Sequence, residues 1–109
     1  MGLFRKDWGK ELDRVEELLA RDLPVPALEI AERAERKAGA DLQVRAAGLA
    51  LRARQALLAS VLAKVDAAEA AGDLEDAADW LLSALEREPS ATRRAELEAR
   101  RQALLDRLD

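Results

Sequence analysis

The side chains on which most enzyme chemistry depends are absent from this sequence of 109 residues. It contains no His, Cys, Tyr or Asn, which excludes catalytic triads, histidine general bases, thiol nucleophiles and histidine-containing di-metal sites. The remaining hydroxyl groups have no base beside them in the sequence; they belong to Ser60, Ser83, Ser90 and Thr92. We therefore expect that the protein is not an enzyme.

Acidic residues are the remaining groups that could do chemistry. Glu16 with Glu17, and Asp66 with Glu69, could act as paired carboxylates, but acids in an amphipathic helical pattern usually form its solvated face. A denser acidic group follows Gly72 and lacks the glycine turn and ligand spacing of a calcium loop. Helix capping and the helix dipole explain its members, which are Asp73, Glu75, Asp76 and Asp79. We predict no metal site, no cofactor and no small-molecule substrate.

Charge does not indicate a nucleic-acid partner. The net charge of -4 arises from 22 acidic and 18 basic residues that are interspersed along the chain. Arginines are concentrated only near the C-terminal end, at Arg93, Arg94, Arg100, Arg101 and Arg107. Acids interleave with them and no aromatic side chain is available for base stacking, so binding to RNA or DNA is disfavoured.

Composition favours a soluble protein of the cytoplasm. The absence of Cys gives no sign of an oxidising compartment, and we find neither a signal peptide nor an apolar run of the ~18 residues that a membrane span needs. The 14 Arg against 4 Lys, in an Ala-rich chain, are typical of a high-GC bacterial coding bias. Phe4 and Trp8 could insert into a membrane or a partner, but packing of the Trp8 stripe on a neighbouring helix is favoured.

The three-and-four spacing of apolar residues recurs almost throughout and predicts an all-α fold of about five helices. Helix one begins near Asp7, an N-cap, ends near Arg21 and buries one stripe: Trp8, Leu12, Val15 and Leu19. Helix two runs from Pro26 to Ala38, with Gly39 as the left-handed residue that ends it. Its inward positions are Ala27, Ile30, Ala31 and Ala34.

Helix three is predicted to be long. Asp41 is a suitable N-cap, and the apolar stripe keeps helical phase from Leu42 to Ala68, so one helix over residues 42–71 is favoured over two helices that break between Gln55 and Ser60. Gly72 ends this helix. Asp73 with Asp76 then opens helix four, which stops at Pro89, and helix five runs from an N-cap at Ser90 to Leu108.

Two segments of the chain resemble each other at a constant offset of 50 positions, as from Ala27 to Ala77. The segments are residues 12–39 and 62–89, which indicates two copies of one helix-turn-helix unit. Ala27 with Ala34, and Ala77 with Ala84, lie seven residues apart on one helical face, where small side chains allow a neighbouring helix to approach closely.

The second copy resembles the turn and second helix of a tetratricopeptide repeat. That family has small, bulky and helix-ending residues at the positions held here by Ala77, Trp80, Leu81, Ala84 and Pro89. The first-helix signature is degenerate, with Val61, Lys64, Val65 and Ala68 in its places, and the interval of 50 exceeds the family's ~34. The resemblance implies a single domain over 1–109, with antiparallel helix pairs over 7–39 and 42–89 and a capping helix over 90–108.

The resemblance also implies a function: an adaptor or scaffold that binds a protein or peptide in a groove lined by the first helix of each pair and by helix five. By this likeness the groove residues are Leu12, Glu16, Leu19, Leu62, Asp66, Glu69, Arg93, Arg100 and Leu104. The groove would be acidic on two walls and basic on the far wall. Two alternatives stay open: that these charges only keep a helical face soluble, and that the protein is a structural homo-oligomer that pairs through helix three.

Overall fold

The computed structural model describes residues 6–109, and Phe4 lies outside the described residues. These residues form five α-helices and contain no strand, which confirms the predicted all-α class and the number of helices. The helices are α1 (Trp8–Ala20), α2 (Pro24–Lys37), α3 (Ala40–Ala70), α4 (Leu74–Arg87) and α5 (Ala91–Leu108).

Three of the helices begin at the N-cap residues that the sequence predicts. The side chain of Asp7 accepts a hydrogen bond from the Lys10 amide at 3.2 Å, and that of Asp73 accepts one from the Asp76 amide at 3.2 Å. Ser90 Oγ accepts from the Arg93 amide at 3.3 Å. Each cap satisfies one of the backbone donors that a helix leaves free in its first turn.

The connection between α2 and α3 differs from the prediction. Helix α2 begins at Pro24 rather than Pro26, because the first amides of a helix have no intrahelical partner and the first turn therefore accepts both prolines. Gly39 does not adopt the left-handed conformation; instead the chain leaves α2 through an extended Ala38, whose carbonyl accepts a hydrogen bond from Gln43 Nε2 at 2.6 Å. Since α3 already begins at Ala40, Asp41 lies in its first turn and is not the N-cap.

Helix α3 is continuous over 31 residues, so the alternative with a break between Gln55 and Ser60 is wrong. Within residues 6–109 it is also the one helix that is long and apolar enough, by length and composition, to cross a membrane. Its most apolar window has a mean hydropathy of 1.2 and is 28% buried. A helix that supplies side chains to a protein core passes the same test, so the absence of a membrane span stays a prediction.

Tertiary contacts divide the chain into two compact units that meet within α3: unit 1 ends at Leu57 and unit 2 is Leu58–Asp109. In unit 1, α1 packs on α2 and on the first part of α3. Its core consists of Leu12, Val15, Ala27, Ala31, Ala34, Ala38, Ala46, Leu49, Ala50 and Ala53. Trp8 and Leu19 pack against this core partly buried, which confirms the predicted stripe of helix one. The predicted single domain is not tested by this division.

In unit 2, α4 packs on α5 and on the last part of α3. The core there consists of Val65, Ala68, Ala77, Ala78, Leu81 and Leu104. Trp80 packs against it partly buried, and Lys64 Nζ lies 4.4 Å from the centre of its ring. This cation-π contact covers the outer face of the indole with a charged group that remains hydrated.

The turns that join α1 to α2 and α3 to α4 have the same hydrogen bonds, 50 positions apart. The Leu23 amide donates to the Leu18 carbonyl at 2.9 Å, and the Asp73 amide donates to the Ala68 carbonyl at 2.9 Å. The residue before each donor has a positive φ, 60° at Asp22 and 78° at Gly72. Both turns are therefore Schellman motifs, in which a left-handed residue lets two amides bond the last helical carbonyls.

Replacing Ala77 with Leu is expected to destabilise the protein by about 1–3 kcal/mol, because its side chain is fully buried at a helix contact and extra methyl groups overpack it. Ala91→Leu, at the exposed start of α5, is the control and should have a much smaller effect. The free energy of unfolding in urea measures both. Equal, negligible losses would contradict close packing at Ala77.

The repeated turn predicts opposite changes in stability for substitutions at its two left-handed residues. Gly72→Ala is expected to lower the free energy of unfolding by about 1 kcal/mol, because φ 78° is strained for a residue with a Cβ atom. Asp22→Gly removes that strain from the matching turn and should be neutral or stabilising by up to about 0.5 kcal/mol. Thermal melts of both variants test this pair, and a Gly72→Ala protein as stable as the parent would refute it.

Candidate partner-binding surface

The structure brings some of the predicted groove residues of unit 1 to the surface and others into the core. Leu12 is fully buried, so its assignment to a groove is corrected: its side chain fills the contact between α1, α2 and α3. Leu19 is partly buried at the edge of the same core, and Glu16 is exposed. Of the predicted groove residues of this unit, Glu16 thus presents an exposed side chain and Leu19 a partly exposed one.

Unit 2 divides its predicted residues in the same way. Leu104 is 3% exposed and belongs to the core, which corrects its assignment to a groove. Leu62 is half-buried and Arg93 is exposed. Asp66, Glu69 and Arg100 lie together in one ion-pair cluster.

In unit 1, Arg45 of α3 holds two acids of α1 that are three residues apart. Its Nη2 lies 2.6 Å from Asp13 Oδ1 and 2.5 Å from Glu16 Oε2, and its Nη1 donates to the Gly9 carbonyl at 3.5 Å. Acids at this spacing project from the same face of a helix, which is why a single guanidinium reaches both. The hydrogen bonds with Asp13 and then Glu16 raise the pKa of Arg45 above its ordinary value.

In unit 2, Arg100 of α5 holds two acids of α3 with the same spacing. Its Nη2 lies 2.7 Å from Asp66 Oδ1 and its Nε lies 2.9 Å from Glu69 Oε1. The hydrogen bond with Asp66 is the largest cause that raises the pKa of Arg100. The neighbouring Arg101 Nε donates to the Ala78 carbonyl at 3.3 Å and so fastens α5 to α4.

These clusters change the charge pattern that the sequence predicts. Arg100 was assigned to a basic wall opposite the acids, but it is bonded to Asp66 and Glu69 directly. Each cluster combines two carboxylates with one guanidinium and so has a formal charge of -1. The acids remain accessible, since the side chains of Asp13, Glu16 and Asp66 are 71%, 50% and 69% exposed.

Sequence reasoning did not find Asp13 or Arg45, and it also missed a third cluster in unit 1, in which Arg54 Nη2 contacts Glu32 at 3.2 Å and Glu35 at 3.3 Å. The signal was present in the spacing. Each cluster uses two acids three residues apart on one helix, a pattern that Asp13 and Glu16 share with Glu32 and Glu35. The arginine that joins them comes from a different helix, and its register depends on packing.

The described part of the chain, residues 6–109, contains no group of three or more acids arranged to hold a metal ion. Its buried side-chain polar atoms all have hydrogen-bond partners. Comparison with protein-family models, with curated proteins and with solved structures gave no match.

Arg100→Gln is expected to destabilise the protein by about 0.5–1 kcal/mol at low salt, because two partly exposed ion pairs are lost and such pairs are weak. High salt should reduce the difference, since it screens the parent's pairs. Arg93→Gln is the matched control on the same helix, because the Arg93 side chain is exposed and makes no ion pair within residues 6–109. If urea unfolding shows the same loss for both variants, the cluster does not join α5 to α3.

Proposed function

We propose that this protein is a non-catalytic interaction module, an adaptor or scaffold of a bacterial cytoplasm, that binds a basic, amphipathic segment of another protein. Each unit presents its own docking face, formed by the first helix of its helix pair. That helix is α1 in unit 1 and the second part of α3 in unit 2. In unit 1 that face contains Asp13, Glu16 and Leu19. In unit 2 it contains Leu62, Asp66 and Glu69.

The observation that carries this proposal is that exposed carboxylates are held in place in both units. Arg45 fixes Asp13 and Glu16, and Arg100 fixes Asp66 and Glu69. Asp13, Glu16 and Asp66 nevertheless keep half or more of their side-chain surface open to solvent, whereas Glu69 is half-buried. A flexible acid loses side-chain entropy when it binds a partner, whereas a fixed one has already lost most of it. The residual charge of -1 in each cluster favours a lysine or arginine of the partner.

Partly exposed leucines beside the acids supply the apolar component. Leu19 and Leu62 occupy different positions of the repeat but each lies on the same helix as its cluster, within one turn of an acid. Apolar anchors provide most of the affinity of a helix or peptide in a groove, while flanking charges set orientation and encounter rate. The partner should therefore alternate apolar and basic residues with helical or extended spacing.

The tetratricopeptide-like organisation belongs to this proposal. The matching Schellman turns 50 positions apart and the buried alanines of α2 and α4 support two related helix pairs. Helix α5 packs on the core through Leu97, Leu104 and Leu105 and carries charged residues on its exposed face, which suits a capping role. A sequence without His, Cys, Tyr or Asn supports binding over catalysis.

A displayed peptide library selected against the whole chain tests the proposal. We expect the selected peptides to carry two or more basic residues next to leucine-like anchors. Glu16→Lys combined with Asp66→Lys should weaken their binding by about tenfold or more, because each change turns an acidic cluster into a basic one. Calorimetry measures the affinity, and a melting curve verifies that the variant is folded.

The matched control reverses two charges on the second helices. Glu29 and Asp79 are exposed, stand 50 positions apart and form no ion pair within the described residues, so Glu29→Lys with Asp79→Lys changes the net charge equally. The control should bind the peptides nearly as tightly as the parent. Equal weakening by both double variants would reduce the effect to net charge and overturn the assigned faces.

A further inference from the structure

A second surface of unit 1, separate from the acidic cluster, lies on the outer side of α3. Val44 is 86% exposed and Leu51 is 52% exposed, the first being the most exposed large apolar residue in the described chain. With Gly48 and Gln55 they follow a spacing of four, three and four residues, which forms one stripe along a helix. The stripe lies opposite the face that α3 buries through Ala46, Leu49, Ala50 and Ala53.

Neither the packing nor the backbone conformation of unit 1 requires a glycine at position 48. It lies inside a continuous helix, where glycine is less favourable than alanine, and it needs no positive φ. A Cβ atom added at Gly48 would meet nothing within 4 Å. The fold would therefore accept alanine there, and a glycine at an exposed helical position allows the close approach of another backbone.

The charges beside the stripe favour an antiparallel second copy of the chain over a parallel copy or a lipid surface. Asp41 lies seven residues before Gly48, whereas Arg52 and Gln55 lie four and seven residues after it, and all three are exposed. If a second α3 crosses antiparallel at Gly48, each Asp41 lies opposite the partner's Gln55 and within about 4.5 Å, along the axis, of the partner's Arg52. A parallel crossing would instead oppose like charges. Arg52 also disfavours burial of this face in lipid.

We infer that the face formed by Val44, Gly48, Leu51 and Gln55 binds a second copy of this chain, in an antiparallel pair of α3 helices that cross at Gly48. This interface is distinct from the acidic docking faces of the proposed function. None of its residues belongs to the docking faces that contain Asp13, Glu16, Asp66 and Glu69. A dimer would double the docking faces and so increase the avidity for a partner with repeated motifs.

Sedimentation equilibrium of the whole chain, from micromolar to near-millimolar concentration, is the first test. The parent should show a concentration-dependent monomer-dimer equilibrium, and Val44→Glu or Leu51→Glu should shift it at least about tenfold toward monomer. Val25→Glu is the matched control, since Val25 is also 52% exposed in unit 1 but lies on α2. A parent that stays monomeric throughout, or equal effects of Leu51→Glu and Val25→Glu, would overturn the inference.

Gly48→Ala distinguishes an effect on the dimer interface from an effect on the stability of the monomer. We expect it to raise the melting temperature of the dilute monomer, because alanine favours the helix, and at the same time to weaken the dimer. A variant that raises the melting temperature and dimerises as tightly as the parent shows that no backbone approaches Gly48. This outcome would refute the crossing point.

The orientation is tested by disulfide formation, for which the chain has no competing cysteine. Mixed Asp41→Cys and Gln55→Cys chains should form the mixed disulfide in excess over either homodimer, as an antiparallel pair requires. An excess of the two homodimers indicates a parallel pair and contradicts the inference. Sedimentation with phosphatidylcholine vesicles completes the test: binding that depends on Val44 and Leu51, without dimer formation, would assign the face to membranes and overturn it.

Discussion

The packing of both units depends on alanine at the contact between helices. In unit 1, α2 turns Ala27, Ala31 and Ala34 toward its neighbours with no exposed surface, and in unit 2, α4 does so with Ala77 and Ala84. Small side chains let helix axes lie close together, so that the larger Leu, Val and Trp side chains fill the flanks of the contact. With three aromatic residues in 109, the chain has few bulky side chains with which to fill a wider gap.

The close packing of the helices affects which charged side chains meet at the surface. Because the cores are narrow, acids on α1 and on the second part of α3 lie within reach of an arginine from the helix that packs beside them. The long arginine side chains lie over the helix contacts and bring their charged ends to the outer acids. The exposed face of each first helix carries carboxylates that an arginine holds in place, and the outer face of α3 in unit 1 carries an uncovered apolar stripe.

Local signals predicted the fold well. Asp7, Asp73 and Ser90 cap helices as expected, and the unbroken apolar phase through Gln55 gave the length of α3, because these features depend on neighbouring residues alone. Gly39 does not supply the predicted left-handed turn, because the chain leaves α2 through an extended Ala38, whose carbonyl the Gln43 side chain bonds. A bond from a side chain five residues further on is not part of the glycine pattern on which the prediction is based.

The candidate site was harder to predict. Family likeness places Leu12 and Leu104 in a groove, although their phase on each helix also fits the core. Both side chains are buried in the core. The partnership of Arg45 with Asp13 joins residues 32 positions apart, so its register follows from how α1 packs on α3 and cannot be read from local sequence. Burial at helix contacts and charge pairing between helices are thus the properties that single-helix patterns leave undetermined.

In the proposed function, the first helix of each helix pair presents a fixed acidic face to another protein. The most direct measurement is the backbone amide spectrum of the labelled chain during titration with a bound basic peptide. We expect the largest chemical-shift changes at the helix positions of Asp13, Glu16 and Leu19 and, in unit 2, at those of Leu62, Asp66 and Glu69. Changes confined to α2, to α4 or to the outer face of α5 would contradict it.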